Sequence, residues 1–147
     1  VKVLCFAHPD DGDGLRDAQE ATVLRLAAAA RRNRLELLLE IIPSRVGPVD
    51  DETSARLIQR FYDIGVFPDW WKLEPFATDA AWRRACETIA ANDPHVRGVV
   101  VLGLDAGEGE LARSLALAAR HDLVRGFAVG RTIFGEPARL WFAGEIG

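Results

Sequence analysis

Two lysines and a glutamate lie inside apolar segments of the sequence, where ionisable side chains are costly. Lys72 stands in the middle of DWWKLEP (69–75), a short aromatic-rich segment with prolines close on both sides. Lys2 interrupts VKVLCFA, and Glu40 lies in LELLLEIIP. Moving an ammonium group out of water costs on the order of several kcal/mol. A lysine in such a position is therefore either ion-paired or chemically useful.

Together, Lys2, Glu40 and Lys72 are the set that an amine-type covalent catalyst needs. One lysine attacks a carbonyl to form a Schiff base, and a second cation beside it favours the uncharged nucleophile and stabilises negative charge. A carboxylate moves the protons for carbinolamine dehydration and C–C bond cleavage. We interpret Lys72 as the nucleophile. The alternative is a buried ion-paired triad with a structural role, and spacing alone does not separate the two.

Five apolar segments, each followed by a helical pattern, must position these side chains. The predicted strands are residues 1–7, 35–43, 69–75, 98–105 and 124–131. The predicted helices are residues 15–32 with Ala21, Leu24 and Ala28 inward, residues 52–64, a helix capped by Thr78, residues 110–120, and a last helix that starts at Pro137 and brings Trp141 and Phe142 to the core. None of the strands alternates cleanly between apolar and polar residues, which is typical of parallel α/β sheets.

Such a sheet is either doubly wound or a (β/α) barrel, in one domain of 147 residues. The first helix is not opened by Gly-x-Gly-x-x-Gly, and the sequence has no Gly-Lys-Ser/Thr loop, which counts against the nucleotide-binding versions. Charges inside strands favour the barrel, because its inward face can carry catalytic side chains. Since consecutive parallel strands are often neighbours, we expect Lys2, Glu40 and Lys72 to converge in one interior.

The composition of the chain indicates which kinds of partner, cellular location and cofactor to expect. A net charge of −4 and a pI near 5.4 argue against a nucleic-acid or anionic-membrane partner. The sequence shows no signal-peptide pattern and no apolar run near the roughly 18 residues that span a bilayer. Cys5 and Cys86 form no Cys-x-x-Cys pair, so we expect buried reduced thiols and a cytoplasmic location. The HPDD motif at 8–11 is too weak to predict a metal site, and we expect no cofactor.

Three long segments make the sequence recognisable: GVFPDWWKLEP (65–75), DPHVRGVVVLGLDA (93–106) and VRGFAVGRTIFGEPARLWFAGEI (124–146). They closely resemble the domain of unknown function at the C-terminal end of bacterial 5-dehydro-2-deoxygluconokinases of inositol catabolism. That domain resembles, in turn, class I aldolases of the tagatose-bisphosphate type. The resemblance covers essentially all 147 residues. It implies a partial (β/α) barrel of the TIM type, in which these five strands are strands 4 to 8 of eight.

The resemblance also implies a role for each member of the triad. Lys72 matches the Schiff-base lysine of barrel strand six, Lys2 the second lysine of strand four, and Glu40 the glutamate of strand five. A phosphate site is implied after the last strand, at Gly130 and Arg131, with the turn at Gly103 as its other wall. Barrels commonly bind phosphate there, because a glycine lets a backbone N–H group approach the anion.

Alternation along the Lys72 strand adds two candidate pocket residues. In a β-strand, Trp70, Lys72 and Glu74 lie on one face. We predict that Trp70 and Glu74 help to bind the substrate. The alternative for Glu74 is a solvated side chain at the end of a strand.

The implied reaction is the retro-aldol cleavage of 6-phospho-5-dehydro-2-deoxygluconate to dihydroxyacetone phosphate and malonate semialdehyde. The expected partners are a phosphorylated keto sugar or keto acid, a fused or associated sugar kinase domain, and further copies of the chain. A full barrel takes about 250 residues, so we expect a fragment of a longer product, a chain that pairs with another copy, or a flatter open sheet. The alternative function is a non-catalytic phosphosugar-binding or assembly domain, which would tolerate Lys72→Arg, or an inactive fragment.

Overall fold

The computed structural model describes residues 1–103 and 107–147, in which five strands alternate with five α-helices. The strands are β1 (Lys2–Cys5), β2 (Leu38–Ile41), β3 (Trp70–Leu73), β4 (Gly98–Leu102) and β5 (Val124–Ala128). The helices are α1 (Asp13–Arg32), α2 (Thr53–Asp63), α3 (Asp79–Asn92), α4 (Glu108–Ala118) and α5 (Arg131–Phe142), and a short 3₁₀ turn spans Pro43–Arg45. The predicted strand–helix succession is confirmed.

The five strands form one parallel sheet in the order β1-β2-β3-β4-β5. Each strand therefore lies beside the strands that precede and follow it in the sequence. A doubly wound sheet reverses its order near the middle, and this sheet does not. Because strand–helix–strand connections are almost always right-handed, a sheet that grows in one direction collects its helices on one face.

The two faces of the sheet differ in composition. The helix face, which packs against residues of α1, α2, α3 and α4 in a single apolar core, consists of Val3, Cys5, Leu39, Ile41, Trp71, Leu73, Val99 and Val101. The opposite face, called the charged face below, consists of Lys2, Leu4, Leu38, Glu40, Trp70, Lys72, Val100 and Leu102. The period of two along each strand separates these sets.

Trp71 is the centre of the apolar core. Its ring contacts those of Phe61 and Tyr62 on α2, with centroids 6.2 and 5.6 Å away. The buried indole N–H group donates a hydrogen bond of 2.9 Å to the hydroxyl oxygen of Tyr62, which satisfies its only polar atom. Burial raises the pKa of Tyr62 to about 12, so this hydroxyl stays protonated. The helix that follows β3 is capped as predicted, because Thr78 accepts a hydrogen bond from the Ala81 N–H group.

Two helices differ from the prediction. In α1 the buried residues are Val23, Ala27 and Ala30, so the predicted inward stripe of Ala21, Leu24 and Ala28 is wrong. Alanines on almost every side of this helix make its faces nearly equal in hydrophobicity, and contact with the sheet selects the stripe that contains Val23.

The last helix begins at Arg131, and Pro137 lies inside it. The predicted start at Pro137 is therefore wrong, although a proline inside a helix removes one backbone hydrogen bond. The predicted core contacts of Trp141 and Phe142 are also wrong, since these side chains are 59% and 81% exposed. This helix follows β5, which is an edge strand of the sheet as described over residues 1–103 and 107–147.

Candidate active site

Three ionisable side chains from neighbouring strands meet on the charged face. Glu40 on β2 is the register partner of Lys72 on β3 and of Leu4 on β1. The Lys72 Nζ atom lies 3.2 Å from Glu40 Oε1, and the Lys2 Nζ atom lies 2.5 Å from Glu40 Oε2. The strand order thus brings together the residues that the sequence singled out, with the carboxylate between the two ammonium groups.

Burial differs strongly within this cluster. The side chain of Glu40 is 4% exposed, that of Lys72 is 16% exposed, and that of Lys2 is 50% exposed. Glu40 Oε2 has no well-aligned hydrogen-bond donor among the described residues, so its contact with Lys2 is a close ion pair. Two ammonium groups and one carboxylate leave the cluster with one net positive charge. It can therefore attract an anionic substrate, and Lys72 is the better shielded of the two amines.

Trp70 is held at the end of the sheet where the strands begin. Its indole N–H group donates a hydrogen bond of 2.9 Å to Glu36 Oε2, and Glu36 Oε1 pairs with Arg97 at 2.7 Å. Trp70 lies on the same face as Lys72, as predicted, but these contacts orient its polar edge away from the carboxyl ends of the strands. Its role in binding a substrate stays a prediction.

Glu74 lies just beyond β3 and is only 4% exposed. One carboxylate oxygen accepts a hydrogen bond of 3.1 Å from the Ser44 N–H group, and the other accepts one from the Ser44 hydroxyl. Desolvation raises the pKa of Glu74, while the bonds from Ser44 and the charge of Arg45 oppose that shift. The alternative of a solvated strand-end residue is therefore wrong, because the side chain is buried and hydrogen-bonded.

The predicted phosphate residues lie at the carboxyl ends of β4 and β5, which are neighbours in the sheet. A Cβ atom on Gly103 would lie 2.9 Å from the methyl groups of Val129, and one on Gly130 would lie 3.0 Å from the Phe134 ring. Close packing alone thus accounts for glycine at position 103. Arg131 begins α5, but its side chain lies outside the described residues. Residues 104 and 105 of the predicted fourth strand also lie outside them. The phosphate role stays a prediction.

His8 is a buried residue whose structural role the sequence did not reveal. Its Nε2 atom lies 3.0 Å from the Pro48 carbonyl oxygen, and the Asp10 N–H group donates to Nδ1 at 3.3 Å. The His8 N–H group donates to the Asp11 carboxylate at 2.7 Å. The contact with Pro48 fastens the loop after β1 to the loop before α2. The sequence feature that could have indicated this role is a histidine followed by aspartates in the first strand-to-helix loop.

Two further findings concern the described part of the chain. Residues 1–103 and 107–147 contain no group of three or more His, Cys, Asp or Glu side chains placed to hold a metal ion. In the same residues, no helix has the length and apolar character that crossing a membrane requires.

A parallel α/β sheet with a lysine–glutamate–lysine cluster on one face defines the class of protein. The chain belongs to the family described as "Uncharacterized protein conserved in bacteria" (DUF2090), whose profile matches residues 1–147. A search of curated proteins finds no match. The family description names no activity.

Proposed function

We propose that the chain is a Schiff-base aldolase domain and that Lys72 is its nucleophile. The observation that carries the proposal is the position of the Lys72 amine, 3.2 Å from a buried carboxylate oxygen and on the sheet face opposite the helices. A nucleophilic amine beside a carboxylate that accepts and returns protons is the arrangement that Schiff-base chemistry uses.

We also propose that the five strand–helix units belong to a (β/α) barrel, as strands 4 to 8 of eight. Two observations support this: the strands follow one another in sequence order, and residues of four helices share one core with the helix face. In a barrel the helices form an outer ring and the other face points inward. The charged face would then be the interior, and the loops after the strands would surround the entrance.

The proposed reaction begins when the uncharged Lys72 amine attacks the ketone carbon of a phosphorylated keto sugar acid. Glu40 takes up the proton that the Lys72 ammonium group loses before the attack. It then gives this proton to the carbinolamine hydroxyl, which leaves as water and forms the iminium. Lys2 acts as the electrostatic partner that holds Glu40 in place. The β-hydroxyl group then loses its proton as the bond between the α- and β-carbons breaks, and the iminium accepts the electrons of that bond. Applied to 6-phospho-5-dehydro-2-deoxygluconate, this cleavage yields dihydroxyacetone phosphate and malonate semialdehyde.

In this proposal Gly103, Gly130 and Arg131 hold the substrate's phosphate, while Trp70 and Glu74 line the pocket. The Gly130 position supports the phosphate assignment, because it directly precedes α5 and the first turn of a helix presents unpaired backbone N–H groups. A phosphorylated substrate suits a cytoplasmic enzyme. A sugar kinase domain and further copies of the chain are the proposed partners.

A direct test measures the release of dihydroxyacetone phosphate from 6-phospho-5-dehydro-2-deoxygluconate with a coupled reduction assay. Lys72→Ala removes the amine, and Lys72→Arg keeps a cation that can pair with Glu40 but cannot form a Schiff base. We expect turnover by the natural chain and background rates for both variants. Turnover by Lys72→Arg within tenfold of the natural rate would overturn the proposal.

The second candidate is a phosphosugar-binding or assembly domain associated with a sugar kinase. One observation favours it: both oxygens of Glu40 already face an ammonium group, which is what a structural ion-paired triad requires. This candidate predicts that the chain binds the phosphosugar without cleaving it and that Lys72→Arg binds equally well. Isothermal titration calorimetry with the natural chain and Lys72→Arg distinguishes the two.

A further inference from the structure

Glu74 is a second buried carboxylate close to Lys72, and the triad mechanism does not need it. It follows Leu73, the last residue of β3, and stands two positions beyond Lys72. Alternate residues of an extended chain share a face and lie about 6.6 Å apart along the strand. Glu74 is therefore one layer nearer than Lys72 to the carboxyl ends of the strands, where parallel α/β proteins bind their substrates.

The environments of the two glutamates differ. Each oxygen of Glu40 faces an ammonium group, from Lys2 at 2.5 Å and from Lys72 at 3.2 Å. Both oxygens of Glu74 accept hydrogen bonds from a single neutral residue, Ser44, and the carboxyl group is desolvated. Two carboxyl groups in contrasting environments typically divide acid and base roles between them.

We propose that Glu74 is the acid–base group that acts on the carbon skeleton of the substrate, while Glu40 acts on the carbinolamine at Lys72. This assignment rests on the proposed aldolase function. It changes Glu74 from a residue that lines the pocket to one that exchanges a proton with the substrate, and it makes Ser44 the residue that positions it.

The proton transfers balance without an oxidant, a reductant or a metal. With the ketone carbon joined to Lys72 as an iminium, the Glu74 carboxylate takes the proton from the hydroxyl group on the carbon beyond the bond that breaks. The O–H electrons form the aldehyde C=O bond, and the electrons of the broken C–C bond flow into the iminium to give a neutral enamine. Glu74 then returns its proton to the enamine carbon, and water hydrolyses the restored iminium to release the ketone and Lys72.

Ser44 links the buried carboxyl group to solvent, because Ser44 is itself exposed in the turn between β2 and α2. A proton held by Glu74 can therefore exchange with water through the Ser44 hydroxyl. The alternative is that Glu74 has only a structural role and holds this turn against the end of β3. Glutamine keeps an oxygen that accepts the Ser44 N–H bond, so Glu74→Gln retains that contact and removes the acid–base function.

The test uses the half-reaction of dihydroxyacetone phosphate in D₂O, in which deuterium replaces a hydrogen on the carbon next to the ketone. Exchange is followed by proton NMR, and Schiff-base formation is measured separately by borohydride trapping and intact mass. We expect Glu74→Gln to trap as much adduct as the natural chain but to exchange about 10²- to 10⁴-fold more slowly, with Glu74→Asp restoring part of the rate. Exchange by folded Glu74→Gln within twofold of the natural rate would overturn the assignment.

Ser44→Ala keeps the test decisive if Glu74→Gln does not fold. The variant retains the carboxyl group but loses the hydroxyl bond that lowers the pKa of Glu74. Because exchange requires the carboxylate, we expect the acidic limb of the pH–rate profile to move to higher pH. An unmoved limb contradicts a role for Glu74 in exchange while leaving trapping at Lys72 intact. If the natural chain itself forms no adduct, the aldolase function fails, and this assignment fails with it.

Discussion

The two faces of the sheet are formed by the same short strands but have opposite character. On β3, Trp71 and Leu73 point to the helix face and are fully buried among apolar side chains, whereas Trp70 and Lys72 point to the charged face and are only partly buried. The helix face provides the stabilisation of an apolar core. The charged face carries an ion cluster whose desolvation is unfavourable unless each charge is paired. Residues that stabilise the fold and residues proposed for the chemistry thus alternate along the strand.

The largest difference between the faces is expected for the two adjacent tryptophans. Trp71→Ala should lower the free energy of unfolding by about 3–5 kcal/mol, because it leaves a cavity in the core. It also leaves the buried Tyr62 hydroxyl without its partner. Trp70→Ala should cost about 1 kcal/mol, mainly its bond to Glu36. Urea denaturation of both variants measures the difference, and equal losses would contradict the division into two faces.

A smaller contrast is expected between the two lysines of the cluster. Lys72→Met should lower the unfolding free energy by about 1–2 kcal/mol, because it removes one of the two cations beside buried Glu40. Lys2→Met should cost less than about 1 kcal/mol, since half of that side chain is in water and solvent screens the pair. Urea denaturation at low and high salt checks this order. A larger loss for Lys2→Met would contradict the expectation that the more deeply buried pair, Lys72 with Glu40, contributes more to stability.

The pH dependence of stability provides a third test, on Glu74. Its pKa in the folded state lies above the usual 4.5, so folding favours the protonated form and stability falls as the pH rises through the folded-state pKa. The difference in melting temperature between Glu74→Gln and the natural chain should therefore shift in favour of the variant as the pH rises from 4 to 8.

The matched control for that test is Glu136→Gln. The Arg139 bonds lower the pKa of Glu136, so its contribution is present at neutral pH and is lost as the pH falls toward and below 4.5. The two variants should thus shift with pH in opposite directions when thermal unfolding is followed by circular dichroism. A Glu74→Gln difference that does not change between pH 4 and pH 8 would contradict the desolvated environment.

The smallest effect concerns the thiols. Burial raises the pKa of Cys5 and of Cys86 to about 11, so at pH 7.5 both are almost entirely in the unreactive thiol form. We expect both residues in the folded chain to react with iodoacetamide at least about tenfold more slowly than in urea. Cys5, buried on the helix face, should be the slower of the two. Mass spectrometry of timed samples measures both rates, and rapid labelling of Cys5 would contradict the packing of β1.

The sequence predicted the structure best in the strands, where a repeating pattern of residue types coincides with burial in the core. Five apolar segments predicted five parallel strands, and the period of two placed Trp70 and Lys72 on one face. The neighbouring strands that bring Lys2 and Glu40 to Lys72 followed from short connections between parallel strands.

Elements without a distinctive pattern were harder to predict. The alanine-rich α1 has several nearly equal faces, and tertiary contact alone selects Val23. The hydrophobicity of Trp141 predicted that it would be buried, but the side chain is exposed. Hydrophobicity alone does not show whether another element packs against α5. The Glu74–Ser44 pairing joins the end of one strand to a turn 30 residues earlier, a contact that only the folded chain reveals.

Borohydride trapping with dihydroxyacetone phosphate shows whether Lys72 forms a Schiff base. The natural chain, Lys72→Ala and Lys72→Arg are treated in parallel, checked for folding by circular dichroism, and compared by intact mass and peptide mapping. We expect a stable adduct on the peptide that contains Lys72 and no adduct on either variant. A folded natural chain that forms no adduct, or forms one on Lys2 instead, would contradict this expectation.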